Sequence, residues 1–419
     1  MPGVDFTFGM LALLLVMIGL GFHIVVALGA ASVLGVWILT GNPDVALSIL
    51  STTAFEALRD YVFAVIPLFV LMGEFVARSG AAKDLYVAIN RLLRHMPARL
   101  AVATVFGNAV FAAVVGVSVA SAATFSRIAY PQMLALRYEK TTALGCIAGS
   151  SSLGMLIPPS VLMIVWGVLT ELSIGQLFLA GVLPGFLLTI LFVAYAMLAA
   201  WLNPAVVGEA KAAASEALYH DRVTGVGNGA AEGTHDASLV QLFFGTGLVI
   251  LLVLGVLGGI WLGFFTPTEG AGVGAVASVV LAMIRGLTLR QTWEVILNVG
   301  RTSGPLLLLL FCAQLYSRVL SMTGFTQAAQ DFLLATGLGS WGILAVMVLI
   351  WFVLGCVIDS ISIILLTVPI FAPIAATLGF DPIAFAILGI LAIETGLLTP
   401  PFGILVFTVK AALPNEKVT

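Results

Sequence analysis

Charged residues are scarce in this sequence. Asp, Glu, Lys and Arg make up 9% of 419 residues, against roughly 25% in a typical soluble domain. Three cysteines, all in apolar runs, offer no disulfide framework. Four histidines and the lack of a His-Glu-x-x-His pattern argue against a zinc or haem site. Without a G-x-x-x-x-G-K-[ST] loop, no ATP hydrolysis of that type is expected.

Apolar residues are abundant instead, at 61% of the chain. A soluble globule could not bury this much apolar surface, so the composition predicts an all-α, polytopic membrane protein. A membrane-spanning helix needs about 20 apolar residues, and the apolar runs suffice for about ten crossings. This excludes a peripheral protein, a nucleic-acid binder and a single-anchor receptor. Transport is the default function, and an intramembrane enzyme is the weakest alternative, because no histidine accompanies the serines of the apolar runs.

Two polar segments divide the apolar runs. Segment 78–99 carries five basic residues against one acid, Asp84, and the positive-inside rule therefore predicts that it is cytoplasmic. Segment 203–238 is rich in Ala, Gly and mixed charge, which is typical of a solvated connector. It separates a first repeat at 1–202 from a second repeat at 239–419.

The two predicted repeats share one pattern. Segment 138–160 aligns without gaps on 380–402, at an offset of 242 residues (380 − 138), and both contain Gly-x-x-x-Pro-Pro, at 154–159 and 396–401. Chance similarity between apolar helices is the alternative explanation. Transporters are commonly built from such repeats, often inverted about an axis in the membrane plane.

The Pro-Pro pairs predict helix breaks inside the membrane, because proline lacks an N–H group and clashes with the preceding turn. The flanking arms in the first copy have about 14 and 12 residues and reach roughly 21 and 18 Å. Neither arm spans a core of about 30 Å. We therefore predict re-entrant hairpins at about 138–171 and 380–412, with a pair of proline-kinked through-helices as the alternative.

The predicted tips are rich in oxygen. Ser150, Ser151 and Ser152 occupy the first tip, and Glu394 and Thr395 begin the second. A tip also exposes freed carbonyl and N–H groups, which together with hydroxyl oxygens suit a hard cation such as sodium.

The helix before each predicted hairpin supplies further polar groups. In the second copy these include Asp359, which has apolar residues on both sides. An acid in such a place is by default a functional candidate, although a helix cap or a partner for arginine would also explain it. Glu269 follows Thr266-Pro267-Thr268, and it is predicted to lie in the first turn of a helix, where it would interact favourably with the helix dipole.

Four segments of the sequence resemble those of a known family. In their order and spacing they resemble the large membrane subunit of tripartite ATP-independent periplasmic (TRAP) transporters, and the resemblance covers nearly the whole chain. The segments are GSSSLGMLIPPSVLMIVWGVLTELSIGQLFLAGVLPG (149–185), GIWLGFFTPTEGAGVGAV (259–276), GCVIDSISIILLTVPIFAPI (355–374) and FDPIAFAILGILAIETGLLTPPFGILVF (380–407).

This resemblance implies a function. It implies sodium-driven import of an organic anion, such as a C4-dicarboxylate or sugar acid, across the bacterial inner membrane, with sodium as coupling ion and no other cofactor. The implied partners are a small four-helix membrane subunit and a periplasmic binding protein, with no nucleic acid. The implied fold has two inverted repeats, each with a re-entrant hairpin and a broken helix, arranged as a fixed scaffold and an elevator-type transport domain.

The resemblance also implies site residues. Sodium is expected to bind at two places, each where a tip meets its partner helix. The expected ligands there are Ser118, Ser152, Gly154, Pro158, Gly355, Thr395, Gly396 and Thr399. The cavity between the tips is expected to bind the substrate carboxylate through Ser121, Ser150, Ser151, Pro159, Asp359, Ser360 and Pro401.

The sequence departs from the family pattern in three places. An early Gly-x-Pro motif reads Gly21-Phe22-His23 here, and the connector has an unusual Gly/Ala-rich composition. By the offset of 242, the helix at 176–201 should recur at about 418–443, so the second repeat is expected to lack its last helix. A stand-alone ion-coupled anion transporter and a non-transporting descendant of a permease therefore remain as alternatives.

Overall fold

The computed structural model describes residues 2–93, 95–208, 239–414 and 416, and every regular element within these ranges is helical. The predicted all-α class is therefore confirmed. Most of the predicted connector, 209–238, lies outside the described residues.

The first half contains ten helices in its described residues. They are α1 (Pro2–Gly19), α2 (Ile24–Thr40), α3 (Pro43–Arg59), α4 (Val65–Arg78), α5 (Ala81–Leu92), α6 (Arg99–Val115), α7 (Ser118–Ala135), α8 (Lys140–Ser151), α9 (Val161–Thr170) and α10 (Ile174–Leu202). Short 3-10 turns cover Tyr61–Ala64, Ser152–Met155 and Pro204–Val207.

The second half adds eight helices in the part that the structure describes. They are α11 (Leu239–Trp261), α12 (Pro267–Ile284), α13 (Leu289–Thr323), α14 (Phe325–Ala335), α15 (Ser340–Gly355), α16 (Ser360–Thr377), α17 (Pro382–Gly396) and α18 (Ile404–Ala412). Glu269 forms a capping box with Thr266 at the start of α12, as its position in the sequence predicts.

Several helices suit a bilayer. Five have the length and composition to cross a membrane within the described residues, among them α10 with 29 residues and α13 with 35. Large apolar side chains cover the outer face of α10, where Leu183 is 74% exposed and Trp201 is 78% exposed. Such a surface is stable against lipid and not against water. The chain is a multi-pass membrane protein.

Helices α6 and α7 form a hairpin. Two residues, 116 and 117, connect them, and Gly116 has a φ of 65°. Near this turn the rings of Phe111 and Phe125 lie 5.7 Å apart, and farther away Thr104 Oγ1 lies 4.0 Å from Met133 Sδ. Residues farther from the turn on α6 therefore contact residues farther from the turn on α7, so the two helices are antiparallel.

The second half repeats this hairpin with α15 and α16. Trp351 Nε1 on α15 donates a hydrogen bond of 2.7 Å to Thr367 Oγ1 on α16. The rings of Trp351 and Phe371 lie 5.4 Å apart. In each half, a helical hairpin therefore comes directly before the Pro-Pro segment.

The first Pro-Pro segment is not itself a hairpin. Helix α10 runs beside this segment. The first residue of α10, Ile174, packs against Gly167 near the end of α9. Beyond the other end of α10, Val206 O accepts a hydrogen bond of 2.9 Å from Glu139 N, just before α8. A helix of 29 residues is roughly 43 Å long, so the two ends of the segment lie far apart. The predicted re-entrant hairpin at about 138–171 is therefore wrong.

The second Pro-Pro segment runs antiparallel to the first. Phe385, near the start of α17, contacts the ring of Trp166 in α9 with centroids 6.0 Å apart. Beyond α18, Glu416 pairs with Lys140 at the start of α8, with Nζ and Oε2 2.7 Å apart. The predicted hairpin at about 380–412 is therefore also wrong, and the proline-kinked through-helix that was the alternative is correct.

The error came from judging each arm by its own length. Helices α8 and α9 have 12 and 10 residues, and α17 and α18 have 15 and 9. Joined end to end, each pair reaches roughly 33 to 36 Å at 1.5 Å per residue, which spans a bilayer core of about 30 Å. The prolines interrupt the helix without reversing the chain.

Single cysteines test this topology. Thr141→Cys and Ser173→Cys, each at an exposed position and in a background where Cys146, Cys312 and Cys356 are replaced by serine, should react with a membrane-impermeant maleimide from opposite sides of the membrane. Labelling would be measured in spheroplasts before and after permeabilisation. Labelling of both cysteines from the same side would contradict this topology and support the re-entrant hairpin.

Candidate functional site

Four interruptions of helical structure meet inside the bundle, and we call this place the junction. It comprises the hairpin turns 116–117 and 356–359 and the Pro-Pro breaks 152–160 and 397–403. Each turn is bonded to the break that follows it in the chain: Val161 N donates to Gly116 O at 3.2 Å, and Phe402 N donates to Cys356 O at 3.2 Å. Backbone groups freed from helices thus find partners within the protein.

Glycines allow the backbones of the junction to approach closely. A Cβ atom on Gly154 would lie 2.7 Å from Ser118 Cα, and one on Gly116 would lie 2.4 Å from Pro159 O. In the second half, a Cβ on Gly355 would lie 2.8 Å from Gly396 Cα. No larger residue fits these places without a backbone shift. The glycines therefore allow the main-chain groups of the turns and breaks to lie close together.

Among the described residues, one buried carboxylate lies at the junction. Glu394 is 2% exposed. Its Oε2 accepts a hydrogen bond of 2.6 Å from Ser118 Oγ, and its Oε1 accepts one of 3.0 Å from Ser360 Oγ. Ser118 begins α7 and Ser360 begins α16, so both N-terminal helix ends, which carry partial positive charge, lie near the acid.

The two serines occupy equivalent places in the repeats, because 118 and 360 differ by the offset of 242. Sequence reasoning named both serines but missed that they bind one acid, since Glu394 was only one of several acids in apolar context. The usable signal was the offset itself, which pairs Ser118 with Ser360 and matches Glu394 with the neutral Ser152 (394 − 242).

Asp359 is a helix cap in the structure. Its carboxylate accepts hydrogen bonds from Ser362 N at 3.1 Å and Ser362 Oγ at 2.5 Å, at the start of α16. The side chain is exposed. This is one of the structural explanations that its sequence context left open, and its role in substrate binding stays a prediction.

The predicted site hydroxyls in and around the first break are mostly engaged in hydrogen bonds. Ser150 Oγ accepts from Asn108 Nδ2 and donates to Cys146 O, both at 2.7 Å. Ser151 and Ser152 donate to carbonyl oxygens one turn earlier in α8, again at 2.7 Å. Ser121 differs, because its hydroxyl is buried and has no partner in the described part of the chain. Of these predicted site residues, Ser121 has the hydroxyl with unused bonding capacity.

The two breaks differ in exposure. Pro158 and Pro159 are buried, whereas Pro400 and Pro401 are exposed. In the second break Thr395 donates to a carbonyl of its own helix, and Thr399 Oγ1 donates to Thr395 O at 3.0 Å. The predicted site residues of both halves are thus brought to the junction or its border.

The junction offers hydroxyl, carbonyl and carboxylate oxygens in a membrane-embedded bundle, which suits a hard cation. Broken helices that meet near the middle of a bundle are typical of secondary transporters, which bind substrate and coupling ions at such breaks. The fold and site therefore indicate a membrane transporter.

Comparison with known proteins gives the family. The family model "Tripartite ATP-independent periplasmic transporter, DctM component" matches residues 11–417. The chain therefore belongs to this family: it is a large permease subunit of a TRAP transporter and not an enzyme, as its sequence motifs predict.

Individual relatives agree. The chain is 32% identical over 397 residues to the C4-dicarboxylate TRAP transporter large permease protein DctM of Pseudomonas aeruginosa, covering 90% of this chain and 86% of that protein. It is 28% identical to the ectoine TRAP transporter large permease protein TeaC of Halomonas elongata, covering 96% and 89%. A solved structure, the Alcanivorax borkumensis YdaH transporter, matches with a TM-score of 0.60 at 16% identity, covering 89% of this chain and 83% of that chain. This last likeness concerns the fold alone.

A pair of glycine substitutions tests the close approach at the junction. Gly154→Ala should lower the free energy of unfolding by about 1–3 kcal/mol, the usual cost of overpacking, because its Cβ would collide with the Ser118 backbone. Gly145→Ala in α8, where nothing lies within 4 Å of the added Cβ, should cause no loss. Thermal unfolding of the purified protein measures both. Equal stability of the two variants would contradict the packing described here.

Proposed function

We propose that this permease subunit imports an organic anion, of the C4-dicarboxylate or sugar-acid class, driven by a sodium gradient. The observation that carries the proposal is the junction, where two hairpin turns and two helix breaks surround one buried carboxylate. A broken helix exposes carbonyl groups at one end and N–H groups at the other. Such a place can bind a cation and an anion side by side.

Sodium coupling is supported by the chemistry of the available groups. The predicted sodium ligands supply hydroxyl and main-chain oxygens, which hard monovalent cations prefer over sulfur. Glu394 adds a carboxyl group where water is excluded, being 2% exposed, and a bound cation would favour its charged form. The carboxylate in turn would offset the charge of a cation bound nearby.

A substrate that carries a carboxylate is supported by two relatives and by helix ends. Two relatives are named for C4-dicarboxylate and ectoine transport, and ectoine and dicarboxylates all contain carboxylate groups. The N-terminal ends of α7 and α16 lie at the junction, where their partial positive charge favours an anion. The predicted substrate residues Ser121, Ser150, Ser151, Pro159, Asp359, Ser360 and Pro401 are retained as part of this proposal.

The proposed assembly includes a small four-helix membrane subunit and a periplasmic binding protein, in the bacterial inner membrane with loop 78–99 in the cytoplasm. One contact supports the orientation of the second half relative to that loop. Arg285, just after α12, pairs with Asp84 in α5, so the end of α12 lies on the same side of the membrane as the basic loop.

The proposed mechanism is an elevator movement. Helices α2, α4, α12 and α13 pack together, with α4 against α12 and α13 against α2 and α4. The hairpins and broken segments form a second group through contacts of α15 with α17, α16 with α9, and α18 with α7 and α8. We propose that the first group is the scaffold and that the second moves and carries the junction across the membrane.

Uptake into proteoliposomes tests the proposal. This chain, reconstituted with its small subunit, should import a labelled C4-dicarboxylate or sugar acid when both an inward sodium gradient and the cognate binding protein are present. Collapsing the gradient with a sodium ionophore should abolish uptake, because the gradient supplies the driving force.

The other outcomes would contradict parts of the proposal. Uptake with sodium but without the binding protein would indicate a stand-alone transporter. Uptake without a sodium gradient would overturn sodium coupling. The absence of uptake under every condition would indicate a non-transporting descendant of a permease.

A further inference from the structure

The acid at the junction breaks the symmetry of the repeats. Ser118 and Ser360 are equivalent, but both donate to a single residue, Glu394, whose own equivalent in the first repeat is Ser152. Two equivalent positions therefore share one acid. Neither half of the protein completes this arrangement alone.

The charge has little compensation from the protein. The carboxylate accepts hydrogen bonds from two neutral hydroxyls, and no Lys, Arg or His side chain in the described ranges pairs with Glu394. A carboxylate in a water-excluded place is costly unless it is paired with a cation or hydrogen-bonded. Intramembrane acids are accordingly associated with ion pathways.

The neighbours of the acid tie it to both predicted sodium positions. Ser118, which donates to Glu394, touches Gly154 of the first break through its backbone. On the other side, Gly396 lies two residues after Glu394 and touches Gly355 at the second turn. The carboxylate is therefore connected to the Gly154 contact through Ser118 and to the Gly396 contact through its own helix.

A second observation points to a missing ligand here. Ser121 follows Ser118 by three residues in α7, so both lie on one face of that helix. Its hydroxyl is buried without a partner in the described residues, although buried hydroxyls are normally satisfied. A substrate or ion bound beside Ser118 would give this oxygen a partner.

We propose that Glu394 is the fixed negative charge shared by both cation sites, so that it stabilises a sodium ion at either break and couples the occupancy of the two. This inference rests on the proposed sodium coupling and adds a residue to it. Glu394 acts through its charge, and Ser118 and Ser360 position the carboxylate between the halves.

The charge can be removed with little change of shape. Glu394→Gln keeps the size of the side chain and can still bond both serine hydroxyls, one through its oxygen and one through its amide group. Loss of a full charge near each ion should raise the half-saturating sodium concentration for uptake about tenfold. The cooperativity of the sodium dependence should also fall.

Two further variants separate charge from shape. Glu394→Asp keeps the charge but shortens the side chain, and it should raise the half-saturating sodium concentration less than Glu394→Gln does. If the role of Glu394 were purely structural, Glu394→Asp would raise the half-saturating sodium concentration more than Glu394→Gln does. Glu74→Gln, in α4, is the matched control, because Glu74 Oε1 already lies 3.4 Å from Arg78 Nε, and it should leave the sodium dependence unchanged.

The measurement combines uptake in proteoliposomes, with binding protein and small subunit present, and sodium-dependent thermal stabilisation of the purified complex, which does not require transport. In the second assay Glu394→Gln should need about ten times more sodium for the same stabilisation. A sodium dependence in the wild type that is unchanged in Glu394→Gln would overturn the shared charge and leave the proposed function intact. Failure of Glu394→Gln to fold would also overturn it, since the carboxylate would then be required for the structure itself and not only for the ions. A wild type insensitive to sodium in both assays would overturn both proposals.

Discussion

The structure depends on the need to satisfy backbone N–H and C=O groups where no water is available. In lipid, an interrupted helix is tolerated only where protein surrounds the interruption. This chain interrupts its helices at two hairpin turns and two Pro-Pro breaks, and it gathers all of them at one junction. There Gly116 O accepts a hydrogen bond from Val161 N, just after the first break, and Cys356 O accepts one from Phe402 N, within the second break. The same gathering that satisfies the backbone also concentrates polar groups in a single place.

That concentration makes the junction both a structural centre and a binding site. Gly154, Gly355 and Gly396 remove side chains at the points of closest approach, so the backbones of different segments lie in contact. Glu394 accepts one hydrogen bond from a serine hydroxyl of each half. A change at this acid therefore affects both repeats together, which is a suitable arrangement for a protein that must move substrate and ions as one unit.

Sequence reasoning predicted the positions of the breaks but not the course of the chain through them. Helical structure does break around Pro158 and Pro159, between the end of α8 at Ser151 and the start of α9 at Val161, as the chemistry of proline requires. Whether the next helix returns or continues depends on what it packs against. Helix α9 packs against α10, α16 and α17, and those contacts carry it to the far side. The hairpins lie one segment earlier, where α6 and α7 are joined by only two residues.

The sequence by itself determined the membrane class, the family and the places where helices break, because composition, motif spacing and the chemistry of glycine and proline are local properties. Only the tertiary structure decided which acid is buried and which caps a helix. Asp359 is satisfied by Ser362, three residues away, and remains exposed. Glu394 is bonded to Ser118 across 276 residues of chain. Such a contact exists only once the two halves have packed, so no local pattern could predict it.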